Sequence, residues 1–160
     1  TLMRIIGIDP GTGILGFGII DIIKGKPRLV DAGVIRTPVK EDDAVRLMTI
    51  YEELTSIIKD TQPEEMAVEK LFFAQNVTTA MTVAQARGVV LLTAMQAGLK
   101  IAEYTPLQIK QSVTGYGKAE KKQIQEMVRV ILGLKEVPKP DDCADALAAA
   151  LTHSMTLRIG

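Results

Sequence analysis

The sequence predicts an α/β domain built on a five-stranded mixed sheet with helices on both faces. Three observations lead there. Short apolar runs near the start are separated by glycine- and proline-bearing turns, helical periodicity takes over after residue 40, and two further apolar runs then alternate with helices. The first pattern gives an antiparallel meander; the last gives parallel strands joined by crossover helices. At 160 residues, with 47% apolar and 24% charged side chains, the chain can bury a substantial core and is not a disordered one. No linker divides residues 1–160, which read as one domain.

Residues 3–8 form an apolar strand that ends at Asp9-Pro10-Gly11. Residues 14–23 are apolar and contain glycines, and Lys24-Gly25-Lys26-Pro27 closes them with a turn. Residues 28–36 complete the meander. Across residues 42–59, Val45, Leu47, Met48, Tyr51, Leu54, Ile57 and Ile58 fall at helical spacing. Residues 65–69 read as a short strand and 78–97 as a helix. That helix is apolar around nearly its whole circumference, so it is either central or covered on its second face by another subunit. Residues 100–104 form the last strand. Pro106 opens a helix at the position proline favours, and residues 119–132 and 142–157 supply two more.

With 19 basic and 19 acidic residues, the formal net charge is zero. A zero balance argues against a nucleic-acid partner, since phosphates are met by basic surface. The charge is not evenly spread, however. Residues 41–65 carry a net −6 and residues 84–129 a net +4, which leaves a basic block available to DNA. The single cysteine, Cys143, gives neither a disulfide framework nor a zinc quartet and reads as a small core residue. No apolar run reaches the roughly 18 residues of a membrane span, and the opening residues carry no signal-peptide pattern. The sequence therefore predicts a cytoplasmic protein with no membrane partner.

Gly11-Thr12-Gly13-Ile14-Leu15-Gly16 fits the dinucleotide pattern G-x-G-x-x-G, with Asp31 near the place of a ribose-binding acid. That reading fails because the third glycine should open a helix, whereas Leu15–Ile20 continues as strand. A better starting point is Gly7-Ile8-Asp9-Pro10-Gly11, in which an apolar strand delivers Asp9 to its carboxyl end. Such a carboxylate suits a nucleotide-phosphate loop of the actin-like kind, a metal-dependent nuclease, or simply a turn cap. Glu69 ends Met66-Ala67-Val68 in the same way, and Asp142 and Asp145 share one face at the start of a helix. Capping and the helix dipole account for Asp141 and in part for Asp142, but not for Asp9 and Glu69. Four mutually repelling carboxylates suit a hard, oxygen-liganded cation, so Mg²⁺ is favoured, with Mn²⁺ as a substitute. Two ions about 3.5–4 Å apart would activate a water and stabilise the leaving oxygen of a phosphodiester.

Six segments then carry a resemblance that spans nearly the whole chain. They are Gly7-Ile8-Asp9-Pro10-Gly11, Val68-Glu69 followed by Phe72, Gln85-Ala86-Arg87-Gly88, Gln108-Ile109-Lys110-Gln111, Ala119-Glu120-Lys121, and Asp142-Cys143-Ala144-Asp145-Ala146-Leu147-Ala148 with Thr152-His153. In this order they resemble the RuvC family of bacterial Holliday-junction resolvases, which have an RNase H-like fold. The resemblance implies that Asp9, Glu69, Asp142 and Asp145 hold two Mg²⁺ ions. It places Lys121 near the scissile phosphate, Lys110 as a second DNA-contacting lysine, and Phe72, with Phe73 beside it, at the junction. It also implies a homodimer joined through the 78–97 helix, a branch-migration motor as partner, and symmetric hydrolysis of four-way junctions to 5′-phosphate products.

Some of these roles have independent physical support. A lysine at position 121 would offset charge on the phosphorane, and exposed aromatics after the Glu69 strand could stack on unpaired bases. Arg87, in an otherwise apolar helix, could reach phosphate or an acid across the dimer. His153 stands two helical turns beyond Asp145 and reads as structural. The competing readings are an RNase H-like nuclease acting on ribosomal RNA precursors, a non-catalytic junction-binding module, and an actin-like phosphotransferase. The last needs a second domain for which this chain has no room.

Overall fold

The computed structural model describes residues 2–11, 13–70 and 77–159. Five strands, β1 (Leu2–Asp9), β2 (Ile14–Ile23), β3 (Lys26–Arg36), β4 (Glu65–Glu69) and β5 (Lys100–Tyr104), form one sheet in the order β3-β2-β1-β4-β5. β1, β2 and β3 pair antiparallel, whereas β1–β4 and β4–β5 pair parallel. The predicted meander followed by parallel strands is thus the observed topology. The central strand β1 has Ile5, Ile6 and Ile8 fully buried because both sheet faces are covered. β3 is the exposed edge, and its Lys26, Pro27 and Arg28 blunt it against further pairing.

On one face lie α1 (Asp43–Thr61) and α2 (Val77–Gln96), which pack against Ile6, Ile8, Phe17, Ile19, Met66 and Val68. On the other lie α3 (Pro106–Thr114), α4 (Lys121–Leu132) and α5 (Asp141–Ile159), packed over Ile5, Ile20 and Ala67. α3 begins at Pro106 under a capping box made by Thr105 and Gln108 and stops at Gly115, which takes the left-handed conformation. α4 starts two residues later than the sequence pattern suggests, because Glu120 is its cap and forms a box with Gln123.

α1 differs from expectation in the face it buries. The inward stripe is Arg46, Ile50, Leu54 and Ile58, at i, i+4 spacing, while Val45 and Met48 point outward. Val45 and Met48 occupy the flank of the helical wheel that the sheet does not reach, and the extra inward position goes to an arginine. In α2 the inward stripe is Val83, Ala86, Val90 and Ala94. A second stripe of apolar and small residues, Met81, Ala84, Gly88, Leu92 and Met95, faces outward.

α5 approaches the sheet closely, as the glycines of β1 and β2 show. A β-carbon placed on Gly7 would lie 2.0 Å from the Ala146 carbonyl oxygen, and one on Gly16 would lie 2.2 Å from that of Asp142. Glycine on β1 and β2, opposite the small residues Ala144, Ala146 and Ala148–Ala150, lets α5 rest directly on the sheet backbone. This contact sets the height at which the first turn of α5 stands above the ends of β1 and β4.

Candidate active site

Side chains alternate along a strand, so Ile5, Gly7 and Asp9 share the face of β1 that α5 covers. The same rule turns Ala67 and Glu69 of β4 to that face. The parallel register sets Ile8 beside Val68, and therefore brings Asp9 and Glu69 side by side at the carboxyl edge of the sheet. Asp9 is buried, with 8% of its surface exposed, and Glu69, Asp142 and Asp145 are half-buried. The first turn of α5 brings Asp142 and Asp145 over the pair. Three separate elements thus deliver four carboxylates to one place.

The electrostatics register this crowding. Burial, reinforced by Glu69, Asp145 and Asp142, pushes the Asp9 carboxyl up to about 9, and Asp9 and Glu69 share a hydrogen bond. Burial also raises Glu69, and the charge of Asp145 adds to it, while Lys121 and Lys110 pull it back. Burial raises Asp145, with Lys121 opposing. The Lys121 ammonium lies 3.6 Å from Asp145 and 3.7 Å from Asp141, and these acids, Asp145 first, raise its own pKa. Lys110 lines a small cleft of about 50 Å³ together with Glu69, Ile124 and Asp145. Asp9, Glu69, Asp142, Asp145, Lys121 and Lys110 are therefore one electrostatic unit.

Among the described residues, no three His, Cys, Asp or Glu side chains are drawn into a ready-made metal-holding group. Asp9 and Glu69 share a hydrogen bond instead, and Asp145 pairs with Lys121. The donor set is all oxygen and carries surplus negative charge at a partly open edge. Those are the properties that fit a hard divalent cation.

Other expected residues fall elsewhere. Arg87 is ion-paired through its guanidinium to Glu103 of β5, and its buried Nε has no partner among the described residues. Its side chain is thus engaged within its own chain. Phe72 and Phe73 lie outside the described residues.

The model for the family described as crossover junction endodeoxyribonuclease RuvC matches residues 5–153. The chain belongs to the RuvC family. The crossover junction endodeoxyribonuclease RuvC of Brevibacillus brevis is 57% identical over 152 residues, covering 95% of this chain and 92% of the relative. A structure of Thermus thermophilus RuvC superposes with a TM-score of 0.92 at 41% identity, covering 99% of this chain and 97% of that one. The same organism's RuvC in complex with Holliday junction substrate gives 0.93 at 40% identity, with 99% and 96% covered. The sheet with helices on both faces is thus the RuvC fold, as the motifs imply. The four acids and both lysines all lie inside the RuvC match.

Two arrangements escaped the sequence reading. His153 is buried between the Tyr104 hydroxyl (2.6 Å from Nδ1) and Glu65 (2.6 Å from Nε2), a polar strut inside the α5 face. The structural role expected for His153 is correct, but its partners are distant in sequence and left no local pattern. The other is Arg46, whose signal was present. A basic residue occupies the i, i+4 stripe that runs on through Ile50, Leu54 and Ile58.

Proposed function

We infer that this RuvC-family protein is a structure-specific endonuclease that resolves four-way DNA junctions by metal-dependent hydrolysis. The observation that carries the reading is the convergence of Asp9, Glu69, Asp142 and Asp145 from β1, β4 and α5, with Lys121 and Lys110 at their edge. A folding device has no use for four carboxylates crowded at one sheet edge. A phosphodiesterase has.

These four acids would hold two Mg²⁺ ions, or Mn²⁺ as a substitute. When bound, such ions supply an activated water and a counter-charge for the departing 3′-oxygen, leaving a 5′-phosphate. The chain's own residues do the rest. Lys121 stays protonated because Asp145 and Asp141 stabilise its charge, so it can offset charge building on the phosphate. Lys110 faces Glu69 across the small cleft and steers the neighbouring strand. Phe72 and Phe73 would stack on bases at the junction, and Arg87 stands as a further DNA contact only if DNA displaces Glu103.

A homodimer is supported by the outward stripe of α2, where Met81, Leu92 and Met95 are each more than half exposed. A two-fold dimer would present two sites to a two-fold junction. Partnership with a branch-migration motor, a single domain over residues 1–160 and a cytoplasmic location complete the reading. No helix among the described residues is long and apolar enough to cross a membrane.

The test is incubation of the purified protein with a synthetic four-way junction and a matched duplex, in Mg²⁺ and in EDTA. Symmetric, Mg²⁺-dependent nicking of the junction alone is expected. A junction bound but never cut would favour a non-catalytic binding module. Preferential cutting of structured RNA would favour processing of ribosomal RNA precursors.

A further inference from the structure

The loop that follows Asp9 has a second side. Asp9 turns toward α5, but Gly11 and Gly13 line a cleft of about 20 Å³ on the α1–α2 side, together with Thr37, Asp43, Arg46 and Gln85. Arg46 is 9% exposed. Its guanidinium sets five donors on the wall of this cleft, with the two terminal nitrogens still open to solvent, and donors held this deep need acceptors. Those of Arg46 are few and long. Its Nε reaches the Thr37 hydroxyl at 3.4 Å, and one terminal nitrogen lies 3.8 Å from Asp43, a carboxylate whose side chain is 63% exposed. Among the described residues it has no other polar partner. Its second terminal nitrogen faces Gly13, where an added β-carbon would lie 3.7 Å away. Gly13 is itself pinned, because its carbonyl accepts the Thr37 N–H at 2.8 Å.

We propose that Arg46, with Thr37 and the backbone of Gly11 and of Gly13, forms a pocket for a DNA backbone phosphate that flanks the one being cut. The proposal rests on the junction-nuclease reading. A guanidinium fork matches two phosphate oxygens. Burial fixes the fork before DNA arrives, since Arg46 is held on the same stripe as Ile50, Leu54 and Ile58. The exposed Asp43 carboxylate is free to swing into solvent when a phosphate takes its place. One short loop then carries the catalytic acid on one side and a phosphate grip on the other. Arg46 acts as a positioning residue, setting which phosphate lies over Asp9.

The experiment uses Asp9→Asn protein in Mg²⁺, so that binding is read without cleavage, and a four-way junction carrying single methylphosphonates near the cut site. Adding Arg46→Gln should weaken junction binding by about tenfold or more. It should also flatten the dependence of log K on log salt by about one unit. One flanking methylphosphonate should weaken Asp9→Asn binding by a similar factor and have no further effect once Arg46 is replaced. Unchanged affinity and salt slope in the Arg46→Gln protein would overturn the proposal. So would a scan, with Arg46 intact, in which no flanking phosphate is sensitive; that result does not depend on the variant folding. Failure of the Asp9→Asn protein to prefer junction over duplex would count against the junction reading instead.

Discussion

Gly16→Ala tests whether the height of α5 above the sheet sets the activity. Gly16 pairs with Asp9 across β1 and β2, and an alanine β-carbon there would lie 2.2 Å from the Asp142 carbonyl oxygen and 2.9 Å from the Asp142 β-carbon. Ordinary contact begins near 3.4 Å, so the first turn of α5 must retreat by roughly 1.2 Å. Both obstructing groups belong to the helix itself, and neither is the end of a flexible side chain that could step aside. Overpacking of this kind costs about 1–3 kcal/mol, and a chain of this length loses about 3 °C of melting temperature per kcal/mol. The kinetic effect should be the larger one. Moving Asp142 and Asp145 by about 1 Å relative to Asp9 and Glu69 should lower the cleavage rate by about a hundredfold.

Junction binding should change little, because Lys110, Lys121 and Arg46 do not rest on Gly16. The assay is single-turnover cleavage of a synthetic four-way junction, alongside junction affinity and a thermal melt of the same preparation. A Gly16→Ala protein that cuts at the parent rate would refute the claim that α5 height positions the acids. Equal losses in rate and affinity would show that the substitution damages the whole surface rather than the catalytic register.

Lys121→Ala should reduce the cleavage rate by about 10²–10³-fold and move the acidic limb of the pH–rate profile upward, since Lys121 is the group that lowers Asp145; an unmoved limb would separate the two residues. Asp9→Asn should abolish cleavage and leave junction binding intact. It should also raise the melting temperature in EDTA near pH 8. The folded protein holds on Asp9, up to about pH 9, a proton that the unfolded chain releases near 3.8, so metal-free stability falls as pH climbs between those values and the gap should close toward pH 4. His153→Ala leaves the Tyr104 hydroxyl and the Glu65 carboxylate without their buried partner and should cost about 1–3 kcal/mol in a denaturant titration, with the metal requirement unchanged. Leu92→Lys places a charge in the outward stripe of α2, and light scattering should show a shift from dimer to monomer.

The fold was legible because its elements announce themselves locally. Lys24-Gly25-Lys26-Pro27 closes a hairpin, Thr105-Pro106 opens a capped helix, and apolar runs that end in Asp9 and Glu69 mark strand ends at one edge. Asp9 and Glu69 stood out for the same reason, since each ends an apolar strand where neither capping nor a helix dipole accounts for an acid, and they drew attention to Asp142 and Asp145. What was not legible depends on which face a helix turns inward. Val45 and Met48 carry the periodicity of α1 as well as Ile50 and Leu54 do, and only the docked sheet decides between the two stripes. The Tyr104–His153–Glu65 strut joins β5, α5 and β4, and no spacing rule links residues so far apart in sequence.

Charge shows how scale governs what can be read. The chain sums to zero, a value that argues against a DNA partner if taken alone. The fold sorts that sum by position. The burial that crowds Asp9, Glu69 and Asp145 also raises their pKa values, so the metal-free site carries fewer negative charges than its carboxylates suggest. Divalent cations at the same acids would cancel more. Arg46 is inward and weakly paired, and Lys110 and Lys121 border the acids rather than solvent alone. The surface facing a phosphodiester is therefore more positive than the composition, and it becomes so through the geometry that brings the acids together. Moving α5 outward would spoil both effects, because the acids would regain water and their charge just as Asp145 drew away from Lys121.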